Sequence, residues 1–170
     1  TDTMLGREVA LKMLHPQLTM QPQFLERFKK EARVLAQLLH PNIAVIYNFI
    51  EQGGNHFMVM EYVEGTNLDD LMKQHKSLPA EFIVPVFVQA LEGLQHAHRK
   101  NIFHRDIKPS NIMLIEYEDE KDFVKIVDFG VAQLIGAGGE QQRLTQMGEV
   151  CGSPVYMSPE QCQGRSEEHT

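Results

Sequence analysis

Lys12 and Glu31 are charged residues in places that their neighbours mark as apolar. Lys12 falls in the middle of an alternating run, residues 8–14, on the face it shares with the small Ala10. Val9, Leu11 and Met13 point the other way, as a strand places them. Glu31 lies on a helical stripe counted through Phe24, Phe28, Leu35 and Leu38. A carboxylate there is costly without a cation to pair with it. Read alone, Glu31 could equally be an edge residue that reaches water. Read with Lys12, it is one half of a strand-to-helix ion pair beside a flat space floored by an alanine, an arrangement suited to a phosphate and a planar ring. Histidine offers less: His96 and His98, two apart on a predicted helix, point in different directions and do not make a ligand pair.

The elements that must carry these residues can be traced along the chain. Pro16 stops the first strand, and Pro22 suits the first turn of a helix. That helix has Phe24, Phe28, Ala32, Leu35, Leu38 and Leu39 on its apolar side, with Glu26, Arg27, Lys30, Arg33 and Gln37 opposite. Strands are expected over residues 43–50 and 56–63, joined by a hairpin at Gly53, Gly54 and Asn55. A short helix should end near His75, and a longer one should run from Pro79 to about Arg99. The longer helix should bury Phe82, Val86, Leu91 and Leu94, with Pro85 kinking it or delaying its start. Small strands follow at residues 102–103, 112–115 and 124–127, and residues 132–164 read as extended loop. The order is a β-rich lobe with one helix, then a helix-rich lobe with small strands: an α+β chain.

Composition excludes several classes. Sixteen Lys and Arg against twenty-three Asp and Glu leave a net charge of −7, which argues against a nucleic-acid groove driven by overall basicity. No apolar run approaches the ~18–20 residues of a membrane span, and the N-terminal residues do not read as a signal peptide. Cys151 and Cys162 cannot build a disulfide scaffold, so a reducing, cytoplasmic setting is expected, with any membrane anchor lying outside this stretch.

At this point the sequence resembles a family. VALK at Val9 to Lys12, Glu31 in the next helix and MEYVEG at Met60 to Gly65 look like the small lobe of a protein kinase. FHRDIKPSN at Phe103 to Asn111, VDFG at Val127 to Gly130 and GSPVYMSPE at Gly152 to Glu160 look like its large lobe. The resemblance covers nearly the whole chain, in the family's order, and points to eukaryotic-like (Hanks-type) serine/threonine kinases of bacteria. It implies a bilobal protein-kinase fold, with ATP and Mg²⁺ as cofactors and a protein Ser/Thr hydroxyl as acceptor.

The resemblance also implies roles. Lys12 would grip the ATP phosphates and Glu31 would hold it in place; Asp128 and Asn111 would bind Mg²⁺ through oxygen. Asp106 would orient the substrate hydroxyl and accept its proton, while Lys108 would stabilise charge on the moving phosphoryl group. The backbone at Glu61 to Val63 would recognise adenine, with Met60 behind it and Ala10 and Met113 against the ring faces. Phe129, His104, Leu35 and Ile46 match the stacked apolar column that links the two lobes, so His104 is read as structural. Arg105 would clamp a phosphate on the activation segment, where Thr145 is the leading acceptor and Ser153 a substrate-positioning residue. Residues 115–122, IEYEDEKD, are expected as a solvated acidic loop between two strands.

The same comparison implies departures. Residues 1–63 read as a small lobe without its glycine-rich loop, residues 64–164 as a large lobe ending after the activation segment, and residues 165–170 as a tail foreign to the gene. The chain by itself is therefore expected to be inactive or nearly so. A catalytically inactive kinase-like scaffold is the alternative.

Overall fold

The alternation around Lys12 becomes β1 (Val9–Met13), in which Leu11 and Met13 face solvent while Ala10 and Lys12 turn inward. The computed structural model describes residues 1–14, 22–75, 77–117, 120–129 and 154–159; at positions 22–24, 27, 31, 120 and 154 it describes the backbone only. Helix α1 (Pro22–Leu35) follows, then the hairpin of β2 (Ile46–Gln52) and β3 (Asn55–Glu61). The turn is Gly53 and Gly54, with φ of +59° and +76°. Two consecutive positive φ values match the strand twist of a two-residue hairpin and call for glycine. β3 is the centre of an antiparallel sheet of order β1-β3-β2, with Ala10 opposite Met60 and Lys12 opposite Met58.

Helix α1 buries Phe28, Ala32 and Leu35, and Phe28 meets Phe49 of β2 at 4.9 Å between ring centroids. The stripe does not extend to Leu39, which is 67% exposed. The helix ends at Leu35, and a tight turn with Leu38 N–H donating to Leu35 O keeps Leu38 buried but sends the next residue outward.

The second sheet has the order β4-β5-β6, from β4 (Thr66–Asn67), β5 (Ile112–Tyr117) and β6 (Glu120–Ile126). Between β4 and β5 run α2 (Leu68–Gln74) and α3 (Ala80–His98). Asn67 caps α2, its side-chain oxygen accepting from Asp70 N–H at 2.8 Å. α3 begins at Ala80 and runs through Pro85, so its start is not delayed. Its buried residues are Val86, Ala90, Gly93 and Ala97; Leu91 is exposed, contrary to expectation. The small residues let the helix come close to β6: a Cβ on Gly93 would lie 3.3 Å from Ile126 Cδ1. That close approach fixes which face is inward, and Leu91 falls about 130° from its centre.

Two other expectations change. Residues 102–103 form no strand; that segment is tied down by Ile102 N–H donating to Ala97 O. Most of residues 115–122 belongs to the β5–β6 ladder, with Ile115 opposite Phe123 and Tyr117 opposite Glu120, because the Phe123 and Tyr117 rings meet across the strands, tilted, at 5.0 Å. Of the expected loop at 132–164, only residues 154–159 are described, and they include a 3₁₀ turn, Pro154–Tyr156.

The sheets are joined by residues 42–44. Ala44 N–H donates to Ile126 O, Ile126 N–H to Asn42 O, and the Asn42 amide to Val124 O at 2.8 Å. This short parallel bridge fixes β6 against the loop that leads into β2. Among the described residues no helix is long and apolar enough to cross a membrane.

Candidate active site

The segment after α3 carries FHRDIKPSN, and its backbone is shaped by one buried histidine. The His104 ring Nδ1 accepts from Asp106 N–H at 3.3 Å, and its Nε2 lies 3.0 Å from Val127 O. A carbonyl can only accept, so the ring is the neutral Nε2–H tautomer, donating on one side and accepting on the other. Burial holds the His104 pKa below its ordinary value. The ring also meets Phe129 edge-on at 4.8 Å. Phe129 and Leu35 are buried in the core with Ile46 packed against it, so the four column residues named from the sequence share one apolar interior.

His104 thus holds two acidic segments together, one on each side. On the first, Asp106 receives the Lys108 ammonium at 2.8 Å. The Asn111 amide donates to Asp106 O at 2.9 Å, which leaves the amide oxygen of Asn111 for another partner. Asn111 is buried in the 3₁₀ turn Pro109–Asn111, where Pro109 presets the backbone. On the second, Val127 N–H donates to Asn111 O at 3.0 Å, and the chain then turns at Asp128. Asp128 and Arg105 both adopt left-handed backbone, φ +58° and +64°. Asp tolerates this region, whereas for Arg it stores strain that the surrounding bonds must hold.

Lys12 reaches this cluster from the other lobe: its Nζ lies 2.9 Å from Asp128 Oδ1. Lys12, Asp106, Lys108, Asn111 and Asp128 therefore converge from β1, the loop before β5 and the turn after β6. Ala10 and the buried Met60 are register partners beside Lys12, and Met113 of β5 is half-buried. Val63 lies just past the end of β3. The side chain of Glu31, and Thr145 and Ser153 altogether, lie outside the described residues.

One buried charge beside the Glu61 segment escaped the sequence reading. Lys125 of β6 is buried and places its ammonium 2.8 Å from the Glu61 carboxylate. The signal that singled out Lys12, a lysine flanked by aliphatic residues in a strand, is equally present in Val124, Lys125 and Ile126.

This fold and this cluster define a chain of the two-lobed protein-kinase class, and comparison with known proteins agrees. The protein kinase domain family matches residues 2–170, and the chain belongs to that family. Its relatives include serine/threonine-protein kinase pkn3 of Myxococcus xanthus, 37% identical over 97% of this chain and 30% of that protein. A probable serine/threonine-protein kinase of Streptomyces coelicolor is 39% identical over 96% of this chain and 24% of its own length. PknB of Mycobacterium leprae is 36% identical over 97% of this chain and 26% of its own. The chain thus spans under a third of these relatives. Among solved structures, the PknI kinase domain of Mycobacterium tuberculosis superposes with a TM-score of 0.63 at 28% identity, over 74% of this chain and 49% of that one. The chain is a Hanks-type kinase sequence of the bacterial serine/threonine group, with the bilobal α+β fold that its motifs implied.

Proposed function

We propose that a protein carrying these residues in a complete kinase domain transfers the γ-phosphoryl group of ATP to a serine or threonine hydroxyl of a protein, in the cytoplasm. The observation that carries the reading is the convergence of Lys12 on Asp128, 2.9 Å apart, beside the loop in which Lys108 meets Asp106 at 2.8 Å. Phosphoryl transfer requires positioned charge rather than covalent work by the protein. Asp106 would accept the hydroxyl proton, Lys108 would lie against the transferring group, and Lys12 would hold phosphate oxygens, kept in place by Glu31.

The donor set fits Mg²⁺. No group of three or more His, Cys, Asp or Glu side chains among the described residues is arranged for a metal. Asp128 and the Asn111 amide oxygen supply two hard protein oxygens, which suits an ion that keeps several waters and leans on substrate phosphate. Bound there, Mg²⁺ would neutralise phosphate charge. Adenine would lie between Ala10 and Met113, read by the backbone from Glu61 to Val63 with Met60 behind. Arg105, at strained backbone next to Asp106, is suited to holding a phosphate on the activation segment, with Thr145 as acceptor and Ser153 positioning substrate. Lys12 meets Asp128 and Lys108 meets Asp106 in one cleft, a convergence that favours an enzyme over an inactive scaffold.

Transfer of labelled γ-phosphate to a general protein acceptor tests the proposal. Incorporation that survives acid, which hydrolyses phosphohistidine, and hydroxylamine, which cleaves aspartyl phosphate, and that is recovered as phosphoserine or phosphothreonine is expected. Nucleotide binding with no transfer to any hydroxyl acceptor would leave the scaffold reading.

A further inference from the structure

The loop that leads from α1 to β2 leans on the C-terminal half of α3 at two places. The His40 and His96 rings lie 5.0 Å apart, centroid to centroid, with 38° between their planes. Nearby, the Lys100 ammonium donates to Gln37 O at 2.9 Å. His40 also holds its own loop, because its Nδ1 accepts from Asn42 N–H at 3.2 Å. An N–H can only donate, so the neutral ring carries its proton on Nε2 and Nδ1 is its one basic site. Asn42 is the residue that joins the two sheets, its carbonyl accepting from Ile126 N–H and its amide donating to Val124 O.

We propose that the His40–His96 contact is a proton-operated latch between the lobes, closed while both rings are neutral and released when His40 takes up a proton. That proton lands on Nδ1, where it sets one N–H against another and ends the bond to Asn42. The cation so formed finds poor company. His96 brings no negative charge, and its Nε2 is buried with no hydrogen-bond partner among the described residues. Lys100, on the same side, is a cation already. His98 turns away to Phe103, 5.0 Å between centroids. Glu92, one turn before His96 on α3, opposes by attraction, but burial and then His96 outweigh it and hold the His40 pKa below its ordinary 6.5. The latch is therefore shut at neutral pH and weakens as acid rises. Its release frees Asn42, and with it the grip on the strand whose end leads to Asp128.

The test is NMR of the ¹⁵N-labelled 170-residue chain between pH 7.5 and 5.5. Ring nitrogen shifts should show His40 as the Nε2–H tautomer at pH 7.5. Below about pH 6.5, hydrogen-exchange protection at Asn42 and Ala44, corrected for intrinsic exchange, should fall by about two- to tenfold. His40→Asn keeps an oxygen in the place of Nδ1 and should leave both amides protected across the range. His96→Phe keeps a ring contact without a second basic group and should shrink the loss, whereas His104→Gln should leave it in place. An Nδ1–H tautomer at pH 7.5, protection that ignores pH in the parent chain, or an equal loss in His40→Asn would overturn the inference. So would abolition of the loss by His104→Gln, because the acid then acts through the other histidine. If His40→Asn does not fold, the tautomer and the His96→Phe comparison decide it. No turnover is measured, so this result and that of the phosphoryl-transfer assay can differ independently.

Discussion

The Glu61 carboxylate meets the Lys125 ammonium with both oxygens, at 2.8 and 3.0 Å, and the second oxygen also accepts from Val45 N–H at 3.0 Å. One side chain at the end of β3 thus ties together the segment entering β2 and the strand whose end leads, two residues on, to Asp128. Both side chains are mostly withdrawn from water, 11% and 22% exposed. Removing one partner of such a pair leaves a charge with little solvent to take its place.

Lys125→Met should therefore destabilise the fold by about 2 kcal/mol, more than the loss of an exposed pair. Glu61→Gln should cost less, because the amide keeps an oxygen for Val45 N–H. In a double-mutant cycle read by urea denaturation, the coupling should be about 1 kcal/mol or more. Strict additivity would mean that the contact contributes nothing of its own.

Asp106→Asn keeps the shape of the loop and the bond from Asn111 to Asp106 O, but removes the proton acceptor. In a complete kinase domain the rate of transfer should fall by about 10²–10⁴-fold with little change in nucleotide affinity. Single-turnover kinetics and a binding titration separate the two. An unchanged rate would take Asp106 out of the reaction.

Lys12→Met should act on nucleotide instead. The substitution breaks the contact to Asp128 and removes a phosphate ligand while keeping the apolar stem of the side chain against β3. Affinity for a fluorescent ATP analogue should drop about tenfold. Unchanged affinity and turnover would instead support the plain reading of Glu31 as a residue that merely reaches water.

Most of the site was legible because its chemistry leaves charged residues where apolar ones are expected, and because its motifs stand in order. Lys12 illustrates the first kind of signal and the run from His104 to Asn111 the second. What could not be read depends on tertiary fit. Leu91 looks like a core residue until Gly93 and Ala97 bring α3 down on β6 along another face. The acidic run after Ile115 looks like loop until the Tyr117 and Phe123 rings meet across the strands and extend the ladder. The partner of Lys125 lies far away in sequence, and only the antiparallel order of β3 beside the bridge at Ile126 brings Glu61 to it.

Acid should loosen the fold through His104. Burial keeps its folded pKa below the ordinary 6.5, so the unfolded chain takes up a proton that the native ring refuses. Stability from this group is complete above about pH 6.5 and declines as the pH falls, by at most about 1.4 kcal/mol per unit. His40 shifts the same way, through burial and then the neighbouring His96, with Glu92 opposing. Urea midpoints between pH 7.5 and 5.5, above the usual carboxylate range, read the two histidines together, and the variant separates them. His104→Gln should lower stability at every pH but flatten the slope. A slope left intact in that variant would place the acid sensitivity elsewhere.

Gly65 carries the last expectation. It lies on the turn into β4, and a Cβ there would collide with the Leu114 carbonyl oxygen and come within 2.8 Å of Ile115 Cγ2. The first obstacle is backbone held in the β4–β5 ladder, where Thr66 faces Leu114, so it cannot rotate away as a side-chain end could. Gly65→Ala should therefore destabilise by about 1–3 kcal/mol, the usual cost of forcing an extra carbon into a packed site. Gly53→Ala is a useful contrast: nothing lies within 4 Å of its Cβ, and its cost comes only from the positive φ. The two variants should differ in their response to relief. Ile115→Ala removes one of the two collisions, so it should cost less in the Gly65→Ala background than alone, whereas with Gly53→Ala its cost should simply add. Thermal melts of the three single and two double variants decide it, and a Gly65→Ala melt equal to the parent would mean that β4 can shift away from β5 at no cost.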